Sequence, residues 1–190
     1  KDQRALEDYL IDAGLEDTVL ETGSGSRAGQ DLRDIVESAR SFLRIVDELH
    51  TRYSRPIVEQ AAIAGAFEPS LMQSADRANK VADAVAARLD AIAEETETGW
   101  SGRFGNDGFV FRREVRGVAE THTLDAQLLG SLDAKRLIER HAQLSEVYRA
   151  PARLRRKDQV MPISGPRALL DAIYEASRKG LTLQRYKGLG

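Results

Sequence analysis

The chain has 190 residues, 42% of them hydrophobic and 31% charged, with a formal net charge of -2. That is enough apolar mass for a core in one ordinary domain or two small ones, and too little net charge for the whole surface to wrap nucleic acid. The absence of cysteine excludes disulfides and thiolate metal sites and fits a reducing cytoplasm, and no run of about eighteen apolar residues is available to span a membrane.

The opening residues predict a helix capped by Asp2, with Ala5, Leu6, Tyr9, Leu10 and Ala13 as its apolar face and Gly14 as its stop. Asp17–Thr22 reads as a short strand. Gly23-Ser24-Gly25-Ser26-Arg27-Ala28-Gly29 reads as a flexible connector rather than a phosphate loop, because the Gly-Lys-Ser/Thr ending is missing. From Gly29 to about Tyr53, apolar residues recur every three or four positions (Leu32, Ile35, Val36, Ala39, Leu43, Val46, Leu49), the pattern of a long amphipathic helix. Pro56 starts a second, short helix, and Gly65 and Pro69 break it. A third runs from about Ser74 to Glu95 on Ala78, Val81, Ala82, Val85, Leu89 and Ile92. The two long helices are expected to pack antiparallel.

The pattern then changes to period two. Trp100–Phe104 and Phe109–Val115, joined by Gly105-Asn106-Asp107-Gly108, predict a hairpin, and Val118–Leu124 follows as a third strand after Arg116-Gly117. Ala126–Leu129 can add a fourth strand. A helix is expected over Asp133–Tyr148, then a basic strand or loop over Ala152–Ile163. Ser164 is placed to cap a last helix that has Pro166 in its first turn and ends at Gly180. Leu181 and Leu183 alternate with Thr182 and Gln184, so the final residues read as a strand entering a glycine turn, with Arg185 and Lys187 on one side. The fold class is α+β: a long helical hairpin and a small antiparallel sheet, flanked by helix–strand pieces.

The chemistry is that of binding. Arg149, Arg153, Arg155, Arg156 and Lys157 form the densest cationic run, suited to phosphates or to an acidic partner surface. Arg112, Arg113 and Arg116 form a weaker one. Cations beside Gly188 and Gly190, where bare backbone can approach closely, are a recurring way to hold phosphate. His50, His122 and His141 lack the spacing of metal ligands, and no nucleophilic triad or carboxylate cluster stands out.

The string Gln184-Arg185-Tyr186-Lys187-Gly188-Leu189-Gly190, preceded by Glu175-Ala176-Ser177-Arg178-Lys179-Gly180-Leu181, resembles a segment of the B subunit of bacterial type IIA DNA topoisomerases. The opening Lys1–Leu10 resembles the same family. The long middle resembles, more loosely, the insert of gyrase-type B subunits from Gram-negative bacteria. Topoisomerase IV has a similar glycine motif but is not known for an insert of this size. The resemblance implies that residues 1–20 and 165–190 belong to the Toprim and tail region and that 21–164 are the insert. Within it lie a helical hairpin (29–95), a meander (99–124), a helix (133–148) and a basic segment (149–163). The first residue is Lys and the last lies in a glycine motif, so a piece of a longer protein is expected.

Such a parent introduces negative supercoils by ATP-dependent breakage, passage and rejoining of duplex DNA, in an A2B2 assembly with the A subunit of gyrase. The resemblance implies that Mg2+ and ATP are bound outside this stretch. It also implies that the stretch holds no complete active site and is inactive alone, contributing DNA binding and subunit communication. Arg185, Lys187, Gly188 and Gly190, with Arg153, Arg155, Arg156 and Lys157, are the candidate DNA-binding residues. The rival reading is an independent helical interaction module that docks through the 29–53 helix.

Overall fold

A computed structural model describes residues 2–189, with side chains described for residues 2–180. In chain order the elements are α1 (Asp2–Leu15), β1 (Thr18–Thr22), β2 (Gly25–Arg27), α2 (Gly29–Glu48), α3 (Arg55–Ala64), α4 (Ala75–Ile92), β3 (Ser101–Gly105), β4 (Gly108–Val115), β5 (Val118–Leu124), α5 (Ala126–Leu129), α6 (Leu132–Glu139), α7 (His141–Tyr148), β6 (Ala152–Arg156), β7 (Gln159–Ile163) and α8 (Pro166–Leu189). The mixed α+β class is as expected. The chain divides into two compact units, one formed by the residues up to Leu43 together with those from Glu146 onward, the other by Arg44–Ser145. The divisions expected at 20/21 and 164/165 both fall inside the first unit.

In the first unit an antiparallel sheet has the order β2-β1-β6-β7. Leu20, Leu154 and Ile163 fill its inner face and are almost wholly buried, with Leu169, Ala172 and Ile173 of α8 in the same core. The Gly23–Gly29 stretch is a hairpin and not a loose connector. Thr22 pairs with Gly25, and its hydroxyl donates to the Gly25 carbonyl at 2.8 Å, while Gly25 takes a φ of 131° that a side chain would oppose. On α2 the apolar stripe Leu32, Ile35, Val36, Ala39, Phe42, Leu43, Ile45 and Val46 is buried, so it is core and not a free docking face. The helix ends at Glu48, earlier than Tyr53.

Helix α1 buries a different face from the one its apolar spacing suggests. Ile11 and Gly14 are its buried residues, whereas Leu6 and Tyr9 are 56% and 55% exposed. Two contacts decide this. A Cβ on Gly14 would lie 2.3 Å from the Ile173 carbonyl oxygen, so α1 meets α8 at a crossing only glycine fits. The acidic side of α1 meets α2, where Arg40 donates to Asp8 at 2.8 Å, to Glu7 at 3.0 Å and to Glu37 at 3.0 Å, and Arg33 pairs with Asp12. Burial works against the charge on Arg40, but the three carboxylates outweigh it and hold the guanidinium firmly protonated. The hydroxyl of Thr18 then closes α1 by donating to the Gly14 carbonyl at 3.0 Å.

Helix α8 starts after Gly165, whose carbonyl accepts from the Leu169 N–H at 3.1 Å, so Ser164 lies one residue before the cap position. It does not stop at Gly180. The backbone stays helical to Leu189, which overturns the strand expected from the Leu181/Leu183 alternation. Leu, Thr and Gln all tolerate a helix, and a lone glycine costs only about 1 kcal/mol there, too little to end a helix already running.

In the second unit α3 begins with Pro56 in its first turn and ends at Gly65, whose φ of 87° lets its N–H bond back to Ala61 and Ala62. Ser74 caps α4 by accepting from the Arg77 N–H at 3.3 Å. Helix α4 packs on α3 and on β3. Between α3 and α4, buried Gln60 accepts from Arg88 at 2.8 Å and donates to buried Glu59 at 3.2 Å. Burial pulls the Arg88 pKa down while the Glu59 charge opposes it.

The meander β3-β4-β5 forms as its turn residues require, with Gly105 paired to Gly108 and Val115 to Val118. Phe109, Phe111 and Leu124 are buried. Ala126–Leu129 is a short helix rather than a fourth strand, because Asp125 caps it, accepting from the Leu128 N–H at 3.0 Å. The helix expected over 133–148 is broken at Arg140, where the N–H bonds to Leu137, one residue nearer than an α-helix requires.

Candidate nucleic-acid interface

The basic run after α7 is sorted by strand parity. Along β6 the burial alternates, with Ala152 and Leu154 inward and Arg153 and Arg155 outward. The side chains of Arg153 and Arg155 are 63% and 51% exposed, and both lean on Glu21 of the neighbouring strand, at 4.0 Å and 3.3 Å. The register places Glu21 opposite Arg153 and Val19 opposite Arg155, so one carboxylate serves two guanidiniums and leaves a net positive face. Lys157 is exposed at the turn into β7 with a φ of 54°. These cations sit on a paired hairpin, which can position phosphate groups without forming an active site.

Arg156 departs from the expectation. It follows the inward parity, is only partly exposed, and its Nη1 donates to the Ala176 carbonyl of α8 at 3.0 Å. It ties the sheet to that helix. Arg185, Lys187 and Gly188 lie on the helical backbone of α8, where a two-residue spacing no longer sets a common side. Their side chains, and Gly190 altogether, lie outside the described residues. The structure therefore brings Arg153, Arg155 and Lys157 together on one hairpin. Sequence reasoning missed Glu21, whose role depends on a register that no local pattern fixes.

The second cationic group is also split. Arg113 pairs with Glu120 at 3.1 Å, donates to the Glu97 carbonyl at 2.7 Å and lies over the Trp100 ring at 4.6 Å. Arg112 and Arg116 are exposed. The hydrogen bonds from His122 and Arg113 hold the Glu120 carboxyl below its usual range against its partial burial. His50 bonds the Asp47 carbonyl at 2.6 Å and His141 packs on Gly65. Among the described residues no three His, Asp or Glu side chains gather as a metal site, and no helix is long and apolar enough to cross a membrane.

No protein-family model matches the chain. A relative from Caulobacter vibrioides, named as the B subunit of DNA gyrase, is 43% identical over 191 residues, which cover 100% of this chain and 23% of the relative. The chain is homologous to a region of the gyrase B subunit. Relatives of the same name from Rickettsia prowazekii and Rickettsia conorii are 26% and 27% identical, again over 100% of this chain and 24% of their own length. The chain thus spans about a quarter of the gyrase B relatives it matches.

Proposed function

We propose that the chain is a DNA-contacting and subunit-coupling region of a type IIA topoisomerase B subunit of gyrase type. Similarity along the whole chain to gyrase B relatives supports the assignment, and the outward Arg153–Arg155 pair supports the DNA contact. The parent would introduce negative supercoils in the cytoplasm with the A subunit of gyrase as partner. Both Mg2+ and ATP would be held by other parts of such a parent. Arg185 and Lys187 would orient the DNA backbone near the cleavage site, so that Lys187→Ala lowers cleavage at unchanged affinity.

The deciding experiment measures DNA affinity of the assembled enzyme against salt. Each phosphate neutralised contributes about 0.9 to the slope of log K on log salt, so Arg153→Ala with Arg155→Ala should flatten it by about 2. Arg156→Met, which removes a brace to α8, should leave the slope as it is. The two outward arginines are solvent-screened, so their loss should cost less than about 1 kcal/mol of stability. An unchanged slope in the double variant removes this hairpin from the interface.

A further inference from the structure

Four strand edges border the two sheets, and three of them are blunted. Strand β2 is only three residues long. On β3 the outward N–H of Phe104 is taken by Asn79 of α4 at 2.9 Å. On β7 the outward positions are Val160 and Pro162, and proline has no N–H to offer. The β5 edge has none of these devices.

Its geometry follows from the register. The two-residue turn closed by Val115 and Val118 makes that pair a hydrogen-bonded one, so Arg112–Thr121 is not. The Arg112 carbonyl points instead to β3, where the Ser101 hydroxyl donates to it at 3.3 Å. Ala119, Thr121 and Thr123 therefore aim their N–H and C=O groups away from β4. Among the described residues no backbone hydrogen bond from another element reaches that side. The strand carries no proline and no lysine, and Val118 at its start is 69% exposed.

We propose that the β5 edge pairs with the β5 edge of a second copy of this chain, antiparallel about a two-fold axis at Thr121. In this register Thr121 faces Thr121 of the second copy and Ala119 faces Thr123, and every facing residue has its outward groups free to bond. The opposite side of the strand selects the register. Glu120 falls across from His122 of the second copy, beside its own His122 at 2.8 Å and Arg113 at 3.1 Å, so carboxylates and imidazoles alternate across the axis. A slip of one pairing step either way would set Glu120 against Glu120 or His122 against His122. The pairing uses both edges, so assembly closes at the dimer.

Sedimentation equilibrium of the 190-residue chain tests this. A dimer is expected, and Thr121→Pro should weaken it about 30-fold or more, because one outward N–H is lost from each copy at the axis. That N–H makes no bond to β4, so far-ultraviolet circular dichroism should be unchanged; Thr121→Val should dimerise as the original does. The chain has no cysteine, so Thr121→Cys gives a register probe even if the proline variant misfolds. Mild diamide oxidation should cross-link Thr121→Cys and not Thr123→Cys. A chain that stays monomeric to about 1 mM, a dimer indifferent to Thr121→Pro, or equal cross-linking of the two cysteine variants would overturn the pairing; a monomer would leave the edge to a strand from another protein.

Discussion

Replacing Gly14 by alanine should weaken the first unit, and the same replacement at Gly180 should strengthen it. Both glycines lie in helices, where alanine is intrinsically better by about 1 kcal/mol. At Gly180 nothing lies within 4 Å of a new Cβ, so about 0.5–1 kcal/mol of that preference should appear as stability. At Gly14 the new Cβ would lie 2.3 Å from the Ile173 carbonyl oxygen and 2.8 Å from its Cγ2. Ile173 and Ile11 are both fully buried, so neither helix can yield by rotating a side chain into solvent. The helices must separate by about 1 Å, and overpacking of this kind costs about 1–3 kcal/mol. Because the Cβ meets backbone atoms of Ile173, the upper part of that range applies, about 2–3 kcal/mol, and against a propensity gain of about 1 kcal/mol a net loss of about 1–2 kcal/mol remains. Urea unfolding reads it as a lower midpoint at unchanged slope. A Gly14→Ala chain as stable as the original would refute the crossing, and a destabilising Gly180→Ala would refute the helical course of α8 through that position.

Asp125 caps α5 and accepts from Tyr53 Oη at 2.7 Å; the Leu128 N–H first, then the Tyr53 hydroxyl, holds its carboxyl below the usual range. A depressed native pKa means the folded chain binds fewer protons, so the stabilisation is complete above the ordinary carboxylate range and drains as pH falls through it. Asp125→Ala should therefore cost about 1–2 kcal/mol at neutral pH, and its gap to the original should narrow toward pH 3; a gap independent of pH would contradict this. Arg88→Met leaves the buried Glu59 carboxylate without that cation and should cost about 3–5 kcal/mol, with part recovered in the double variant Glu59→Met, Arg88→Met. A single-variant loss under about 1 kcal/mol by thermal unfolding would show that the Arg88–Gln60–Glu59 chain carries little.

What could be read in advance was what is decided locally. The meander came out because Gly105-Asn106-Asp107-Gly108 and Arg116-Gly117 fix both turns and hence the register within a few residues. The α1 face did not, because the choice between its apolar stripe and the Ile11–Gly14 side is made by Ile173 and Arg40, far away in the chain. Glu59 and Gln60 were invisible for the same reason: their partner Arg88 lies on another helix. At the candidate interface the needed signal was present but not used. Ala152 and Leu154 already set the phase of β6, and the same parity that turns Arg153 and Arg155 outward turns Arg156 toward α8. One alternation thus divides a continuous cationic run into two outward charges, steadied by Glu21, and one brace that holds the sheet to the helix leading to Arg185 and Lys187. That division lets a chain of net charge -2 present a locally positive face, because many of its acidic residues are held in ion pairs such as Glu7 and Asp8 with Arg40, while the hairpin of Arg153, Arg155 and Lys157 has only Asp158 of its own turn and Glu21 of β1 to set against them.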